Sequence, residues 1–257
     1  MNDSLVDITI DQSLAKVTIN REQKMNALSR ATLDAIGAAF DDLAVLSELR
    51  CVLLSGAGER FFAAGGDVVE LTAVKTAEQI NAMADHARGV LDKIRSCAAP
   101  VIALMNGDAL GGGAELATSC DFRIMRSGSH IGYIQGRLAI NSAWGGGADL
   151  NALVGPARSL RMMARGELIE AQTALDWGLA DAVAEAREMQ STIDAFIKPI
   201  LRLSKASLDA FIAQSRAHRS GPTYQHRREL ERQSLLKSWP QEEHWQAVEK
   251  FLARKQS

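Results

Sequence analysis

Pro100-Val101-Ile102-Ala103-Leu104-Met105 runs directly into Asn106-Gly107-Asp108-Ala109-Leu110-Gly111-Gly112-Gly113-Ala114-Glu115-Leu116. The first six residues are an unbroken apolar run and read as a buried strand. Ala114-Glu115-Leu116-Ala117-Thr118 reads as the opening of a helix. Three consecutive glycines at a strand-to-helix junction permit positive φ and let another molecule approach the backbone closely. The free N–H groups of a new helix favour negative charge at that point. Glu115 follows one turn in, so a backbone donor and an acid/base side chain lie within four residues. A packing role for the glycines stands beside the functional one. Nucleotide motifs do not fit: G-x-x-x-x-G-K-[ST] and G-x-G-x-x-G are absent, and no nucleophile-elbow serine occupies the turn. If the turn is functional, its use is to hold a developing oxyanion.

Outward from this turn the chain alternates strands and helices. Ile8-Thr9-Ile10 and Ala15 to Asn20 alternate apolar and polar residues around Asp11-Gln12-Ser13-Leu14, which predicts a hairpin. Ser29 can cap a helix through Leu33, Ile36, Phe40, Leu43 and Leu46. Cys51-Val52-Leu53-Leu54-Ser55 is a second short buried strand, followed by the loop Phe61-Phe62-Ala63-Ala64-Gly65-Gly66-Asp67. A helix lies between Ala77 and Arg95. Beyond the glycine turn, Phe122-Arg123-Ile124-Met125 and Ile131-Gly132-Tyr133-Ile134 are short strands. After Gly145-Gly146-Gly147 the pattern is helix after helix: Pro156–Arg165, Ala171–Gly178, Ser191–Arg219, Tyr224–Lys237 and Glu242–Lys255. Strand–helix alternation with an all-helical tail predicts an α/β core over residues 1–187 and a helical C-terminal region over 188–257. The tail carries Arg216, His218, Arg219, His226, Arg227, Arg228 and Arg232, read as a solvated helix face, with an anion or subunit contact as the alternative.

With 47% hydrophobic and 23% charged residues the chain is composed like a soluble globular protein. A net charge of −2 gives no reason to expect nucleic-acid binding. The N-terminal residues lack a basic segment followed by an apolar one, and no apolar run is long enough for a membrane span, so a cytoplasmic protein is expected. Cys51, Cys97 and Cys120 are isolated and odd in number, as expected of free thiols in a reducing compartment. No Cys or His spacing suits a metal, and no metal is expected.

Four segments together resemble one family, the enoyl-CoA hydratase/isomerase or crotonase superfamily. They are Arg21-Glu22-Gln23-Lys24-Met25-Asn26-Ala27-Leu28, the Phe62–Asp67 loop, the Asn106–Leu116 stretch with Cys120-Asp121, and Gly166 to Val183. They stand in the family's order across roughly residues 5 to 185. The resemblance implies a crotonase (ClpP-like) spiral of β-β-α units with a helical C-terminal trimerisation region. It also implies an acyl-CoA thioester substrate in acyl-CoA and fatty acid metabolism, with no cofactor beyond the coenzyme A of the substrate. Assembly would be a homotrimer or a dimer of trimers. Gly66 and Gly112 would donate to the thioester oxygen and Glu115 would be the acid/base. The backbone of Ala64, Gly65 and Gly66 would receive the adenine. Lys24 is a candidate for a CoA phosphate, with a solvated loop lysine as the alternative.

Two positions depart from the family pattern. Twenty residues beyond Glu115, where hydratases carry a second glutamate, this chain has Gln135. An amide can hold a water but cannot take or give a proton at accessible pH, so efficient hydration is not expected and a single-carboxylate reaction is. Ser142-Ala143-Trp144-Gly145-Gly146 replaces the more common proline-containing turn and is similar to a branch that includes ethylmalonyl-CoA decarboxylase-like proteins. Trp144 would then be an apolar wall of the acyl site, or a core tryptophan. The functional expectation is a lyase or isomerase stabilising a thioester enolate. Its alternatives are a decarboxylase of methylmalonyl- or ethylmalonyl-CoA-type substrates and a non-catalytic acyl-CoA binder; a nucleic-acid-binding relative is disfavoured by the charge.

Overall fold

The computed structural model describes residues 4–219 and 222–253. The predicted hairpin is β1 (Val6–Asp11) and β2 (Leu14–Ile19), paired antiparallel from Val6 opposite Ile19 to Asp11 opposite Leu14. Helix α1 (Arg30–Ala44) follows, and the Ser29 side chain accepts from the Thr32 N–H at 3.2 Å. Its period-3.6 face, Leu33, Ile36, Phe40 and Leu43, is buried.

From there the chain advances by a repeated unit. One strand joins a large sheet, the next joins a small sheet, and a helix returns. β3 (Cys51–Gly56) and β4 (Phe61–Ala63) lead through the one-turn α2 (Val68–Leu71) to α3 (Ala77–Arg95). β5 (Val101–Met105) and β6 (Asp108–Leu110) lead to α4 (Gly112–Ser119). β7 (Phe122–Arg126) and β8 (His130–Gly132) lead to α5 (Gly146–Arg165). β9 (Leu168–Glu170) then closes the small sheet, and α6 (Ala171–Asp176) leads to β10 (Ala182–Ala184), the last strand of the large one. The sheet orders are β1-β2-β3-β5-β7-β10 and β4-β6-β8-β9. Every neighbouring pair from β2 to β10 in the large sheet is parallel.

β3 and β5 read as continuous apolar runs because both faces of the large sheet are covered. On one face Val52, Leu54, Val101 and Ala103 join the main core with α1 and α3. On the other, Cys51, Leu53, Ile102 and Ile124 pack under Ile193 and Ile197 of α7 (Met189–Arg202). Helices α8 (Lys205–Arg219), α9 (Pro222–Ser238) and α10 (Glu242–Ala253) follow, to the end of the described residues. A third apolar cluster joins Ile80 and Ala84 of α3 to Leu235 of α9 and to Trp239 directly after it. The three cysteines are buried and in no disulfide.

Several expected elements are corrected. The helix expected at Pro156–Arg165 is present as the second half of α5; a first half over 146–154 was not expected, and the two are separated at Gly155, non-helical at φ 77° and ψ 165°, where the following proline disfavours αR. The long helix expected over Ser191–Arg219 is two, α7 and α8. Leu203 is extended at ψ 150°, and the Ser204 hydroxyl accepts from the Ser207 N–H at 3.1 Å to start the second. β4, inside the Phe61–Asp67 stretch expected as a loop, and β6, β9 and β10, three residues each, were not expected as strands; such short pieces carry no period and exist only because a neighbour pairs with them. Residues 254–257 at the end of the expected C-terminal region lie outside the described residues, as do the side chains of His218, Arg219, His226 and Arg227 from the basic tail.

Candidate active site

Two glycine loops meet at one end of the small sheet. Gly111 closes β6 at φ 54° and ψ −119°, a region reserved for glycine. α4 starts on the next residue, two earlier than the apolar pattern suggested. Gly65, at φ 103°, lies against this turn: a Cβ there would sit 2.9 Å from the Leu110 carbonyl oxygen and 3.4 Å from the Gly112 nitrogen. Among the described residues neither the Gly66 nor the Gly112 N–H has a backbone acceptor.

The loop carrying Gly65 and Gly66 is anchored by the early motif. Asn26, buried at φ 52°, donates to the Ala57 and Phe61 carbonyls at 3.0 and 2.8 Å and accepts from the Arg21 N–H at 3.1 Å. Asparagine tolerates the left-handed backbone and replaces the missing ladder bonds. Leu28 donates to the Gly65 carbonyl at 2.8 Å, and Ala64 to the Met25 carbonyl at 3.1 Å. Arg21 pairs with Asp67 at 2.8 Å. Burial works against the Asp67 charge, and the Arg21 guanidinium with the Glu70 and Val69 N–H groups outweighs it and lowers the pKa.

Glu115 is buried on α4. Its Oε2 accepts from the Trp144 and Gly146 N–H groups at 2.9 and 3.0 Å, and its Oε1 from the Gln135 amide at 3.0 Å. Burial raises its pKa; those three donors and the Arg95 charge pull it back, and it settles at about 7. A carboxyl poised there can take or give a proton near neutrality. Gln135, reached by counting from Glu115 in the sequence, thus faces that carboxylate directly.

Trp144 lies across both glycines. A Cβ at Gly112 would fall 2.4 Å from its Cζ3, and one at Gly66 would fall 3.6 Å from its Cη2. It belongs to the core cluster and also lines the cleft, so the wall and core readings describe one position. The cleft has a volume of about 1560 Å³ and is lined by every sequence-selected residue: Lys24, Ala64, Gly65, Gly66, Gly112, Glu115, Gln135 and Trp144. That exceeds the few hundred to about 1000 Å³ of a small-ligand pocket and suits an extended ligand. Arg137 also borders it but donates to the Gly166 carbonyl.

Sequence reasoning missed much of the wall. Leu71, Met83 and Ile140 supply one side, and Leu235 of α9, Trp239 directly after it and Phe251 of α10 supply another. Two tryptophans, Trp239 and Trp245, in an otherwise charged tail were the available signal. Trp239 donates to the Val74 carbonyl at 2.7 Å and stacks near His244, whose Nδ1 lies 2.6 Å from the Leu138 carbonyl.

Comparison with known proteins agrees with this architecture. The family model for enoyl-CoA hydratase/isomerase matches residues 9–257. The chain belongs to the enoyl-CoA hydratase/isomerase family. This makes it a crotonase-superfamily acyl-CoA enzyme with the crotonase fold. It is 36% identical over 179 residues to a short-chain-enoyl-CoA hydratase of Clostridium acetobutylicum, covering 70% of this chain and 68% of that one. It is 34% identical to a crotonyl-CoA hydratase of Syntrophomonas wolfei, covering 77% and 78%, and 30% identical to an ethylmalonyl-CoA decarboxylase of Xenopus laevis, covering 69% and 59%. The crystal structure of an enoyl-CoA hydratase from Mycobacterium avium subsp. paratuberculosis superposes with a TM-score of 0.85 over 96% of this chain and 99% of that one at 22% identity, a likeness of fold. Among the described residues no helix is long and apolar enough to cross a membrane, and no group of three His, Cys, Asp or Glu side chains could hold a metal.

Proposed function

We propose that this family member converts acyl-CoA thioesters through an enolate whose oxygen is held by the Gly66 and Gly112 N–H groups, with Glu115 as the single acid/base. The observation that carries this reading is the Gln135–Glu115 hydrogen bond of 3.0 Å. It puts an amide where a two-carboxylate hydration needs a second proton carrier. The other carboxylates lining the cleft, Asp67 and Glu70, are engaged by Arg21 and by the Arg30 N–H. Each N–H donor aimed at the developing charge is worth a few kcal/mol, since it need not reorganise, and the α4 dipole behind Gly112 adds to it. Lys24 and the backbone of Ala64 and Gly65 would hold the coenzyme A portion, and Trp144 would bound the acyl group. No cofactor other than the coenzyme A of the substrate enters the scheme. Assembly as a homotrimer or a dimer of trimers belongs to the same reading, and light scattering on the eluting protein tests it.

Two one-carboxylate reactions fit. In double-bond isomerisation Glu115 takes a proton from one carbon and returns it to another. In decarboxylation of an alkylmalonyl-CoA the C–C bond breaks, CO₂ leaves, the electron pair enters the thioester enolate, and Glu115 protonates the α-carbon. The similarity to ethylmalonyl-CoA decarboxylase favours giving the second equal standing. The pH profile separates them. With Glu115 near 7, isomerisation needs it ionised, so kcat/KM rises through that pH; decarboxylation needs it protonated, so the rate falls through it.

The deciding experiment incubates the protein with crotonyl-, 3-enoyl-, methylmalonyl- and ethylmalonyl-CoA and follows each by mass. Conversion of a 3-enoyl- or alkylmalonyl-CoA that is abolished in Glu115→Ala is expected. Rapid hydration of crotonyl-CoA would overturn the one-carboxylate assignment, and thioester binding without turnover of any of the four would make the chain a silent binder.

A further inference from the structure

Glu115 is held by a turn, and that turn is braced by buried polar side chains that end on the C-terminal helices. The Trp144 and Gly146 N–H groups grip one carboxylate oxygen. The carbonyl of the same Trp144 accepts from Nη2 of Arg95, on α3, at 3.3 Å. That guanidinium also holds Asp149, in the first turn of α5, through Nε at 2.9 Å and Nη2 at 2.7 Å. The Asp149 N–H returns to the Gly145 carbonyl at 3.2 Å. The second oxygen of Asp149 accepts from the Tyr224 hydroxyl, on α9, at 2.7 Å. Beside it Asp92 is shared between Arg95 and Arg228 of α9, each at 3.0 Å.

The assembly is tight and nearly dry. Arg95, Asp149 and Tyr224 are 7, 3 and 5% exposed. A Cβ at Gly145 would lie 3.0 Å from Arg95 Nη2 and 3.1 Å from Arg228 Nε, so α9 presses on the turn itself. A buried ion pair is tolerated only when its remaining hydrogen-bonding sites are filled, and here α9 fills them. Without Tyr224 and Arg228, Asp149 and Asp92 each lose a donor. The same helix, with Trp239 directly after its end, carries Leu235 into the cleft wall beside that ring. The element that closes the cleft is therefore the element that braces the carboxylate's seat.

We propose that Tyr224 and Arg228 are positioning residues for Glu115, acting through the Arg95–Asp149 pair and the Trp144–Gly146 turn, so that docking of α9 over a bound thioester and seating of the acid/base group are one event. This rests on Glu115 being the acid/base. The groups that face Glu115 set the direction of the effect. Arg95 is the nearest charge, and Gln135 is an uncharged amide. Tyr133 holds the turn through the Gly146 carbonyl at 2.8 Å. Asp149, Asp92, Arg228 and Tyr224 form the outer layer. Loosening the turn weakens two N–H bonds to the ionised carboxylate and lets Arg95 draw away, and both changes favour the protonated form.

The test follows the side-chain carboxyl carbon of Glu115 by NMR in full-length protein labelled with ¹³C-glutamate, the resonance being assigned by its loss in Glu115→Gln. In Tyr224→Phe and in Arg228→Met the titration midpoint is expected to rise by about half a unit or more. With a thioester that the wild type turns over, kcat is expected to fall about tenfold with KM changed less than twofold. An unchanged midpoint in the folded variants overturns the proposal. So does a shifted midpoint with unchanged kcat. Should Tyr224→Phe fail to fold, Arg228→Met decides, since its side chain lies at the edge of the network and is 16% exposed. The titration needs no substrate, so a wild type inert to every thioester defeats the enzymatic reading and leaves this measurement standing.

Discussion

At the residue scale the molecule turns on one carboxyl group held against its preference. In the unfolded chain Glu115 titrates near the ordinary glutamate value of about 4.3; in the fold burial raises it to about 7. Below the lower value it is protonated in both states and nothing is lost. Between the two, the unfolded chain releases its proton and the fold does not. Stability therefore falls as pH rises through that window and stays reduced above it, by about 4 kcal/mol at most. Glu115→Gln removes the effect. Its melting temperature is expected to match the wild type near pH 4 and to exceed it at pH 8; thermal scans across pH check this, and a constant difference would contradict it. Gln135→Glu addresses the other side of the same hydrogen bond. Placing a second carboxylate 3.0 Å away pushes the pair's titrations apart, and crotonyl-CoA hydration measured by absorbance is expected to appear in that variant.

At the element scale the glycines of the α4 start have different tasks. A Cβ at Gly113 would lie 2.0 Å from the Ala63 carbonyl oxygen, part of a strand that cannot yield. A Cβ at Gly112 would meet the far edge of the Trp144 ring, which can turn away at some cost. Gly113→Ala is therefore expected to lower stability by about 1–3 kcal/mol in urea unfolding. Gly112→Ala is expected to unfold at a higher urea midpoint than Gly113→Ala and to lose at least about tenfold in kcat through the displaced Trp144 and the disturbed donor. Equal midpoints in the two variants would contradict this division. The strand-then-helix reading of residues 100–118 follows from periodicity, whereas β6 between them has no sequence signature because its three residues are ordered only by pairing with β4 and β8.

At the scale of the whole molecule the C-terminal helices fold back onto the cleft of their own chain. α9 contributes Leu235, the turn after it Trp239 and α10 Phe251 to its wall. Trp239→Ala is expected to weaken thioester binding at least about fivefold, by removing apolar surface from a wall rather than from the main core. Isothermal titration with a non-reacting acyl-CoA analogue measures this, and unchanged affinity would place the ligand elsewhere. Lys75, set over the Trp245 ring, and His244, bonded to Leu138, tie α10 to the rim formed by the loop before α3 and the segment after Gln135.

The sequence by itself determined the local pieces. Turn glycines, the Ser29 cap, the apolar runs of β3 and β5 and the spacing from Glu115 to Gln135 are properties of near neighbours or of a fixed count along the chain, and local backbone physics reads them directly. What only the tertiary structure decided is everything that depends on meeting. Arg95, Asp149 and Tyr224 are separated by 54 and 75 residues, and no periodicity links them. The break at Leu203 and the three-residue strands are settled by partners the local pattern does not contain. Trp144 is an ordinary apolar residue in sequence; it stands over both glycines because α5 packs its first turn against the stem of Glu115. The charge state of that glutamate likewise follows from burial, which is a sum over the whole fold and is written in no single segment.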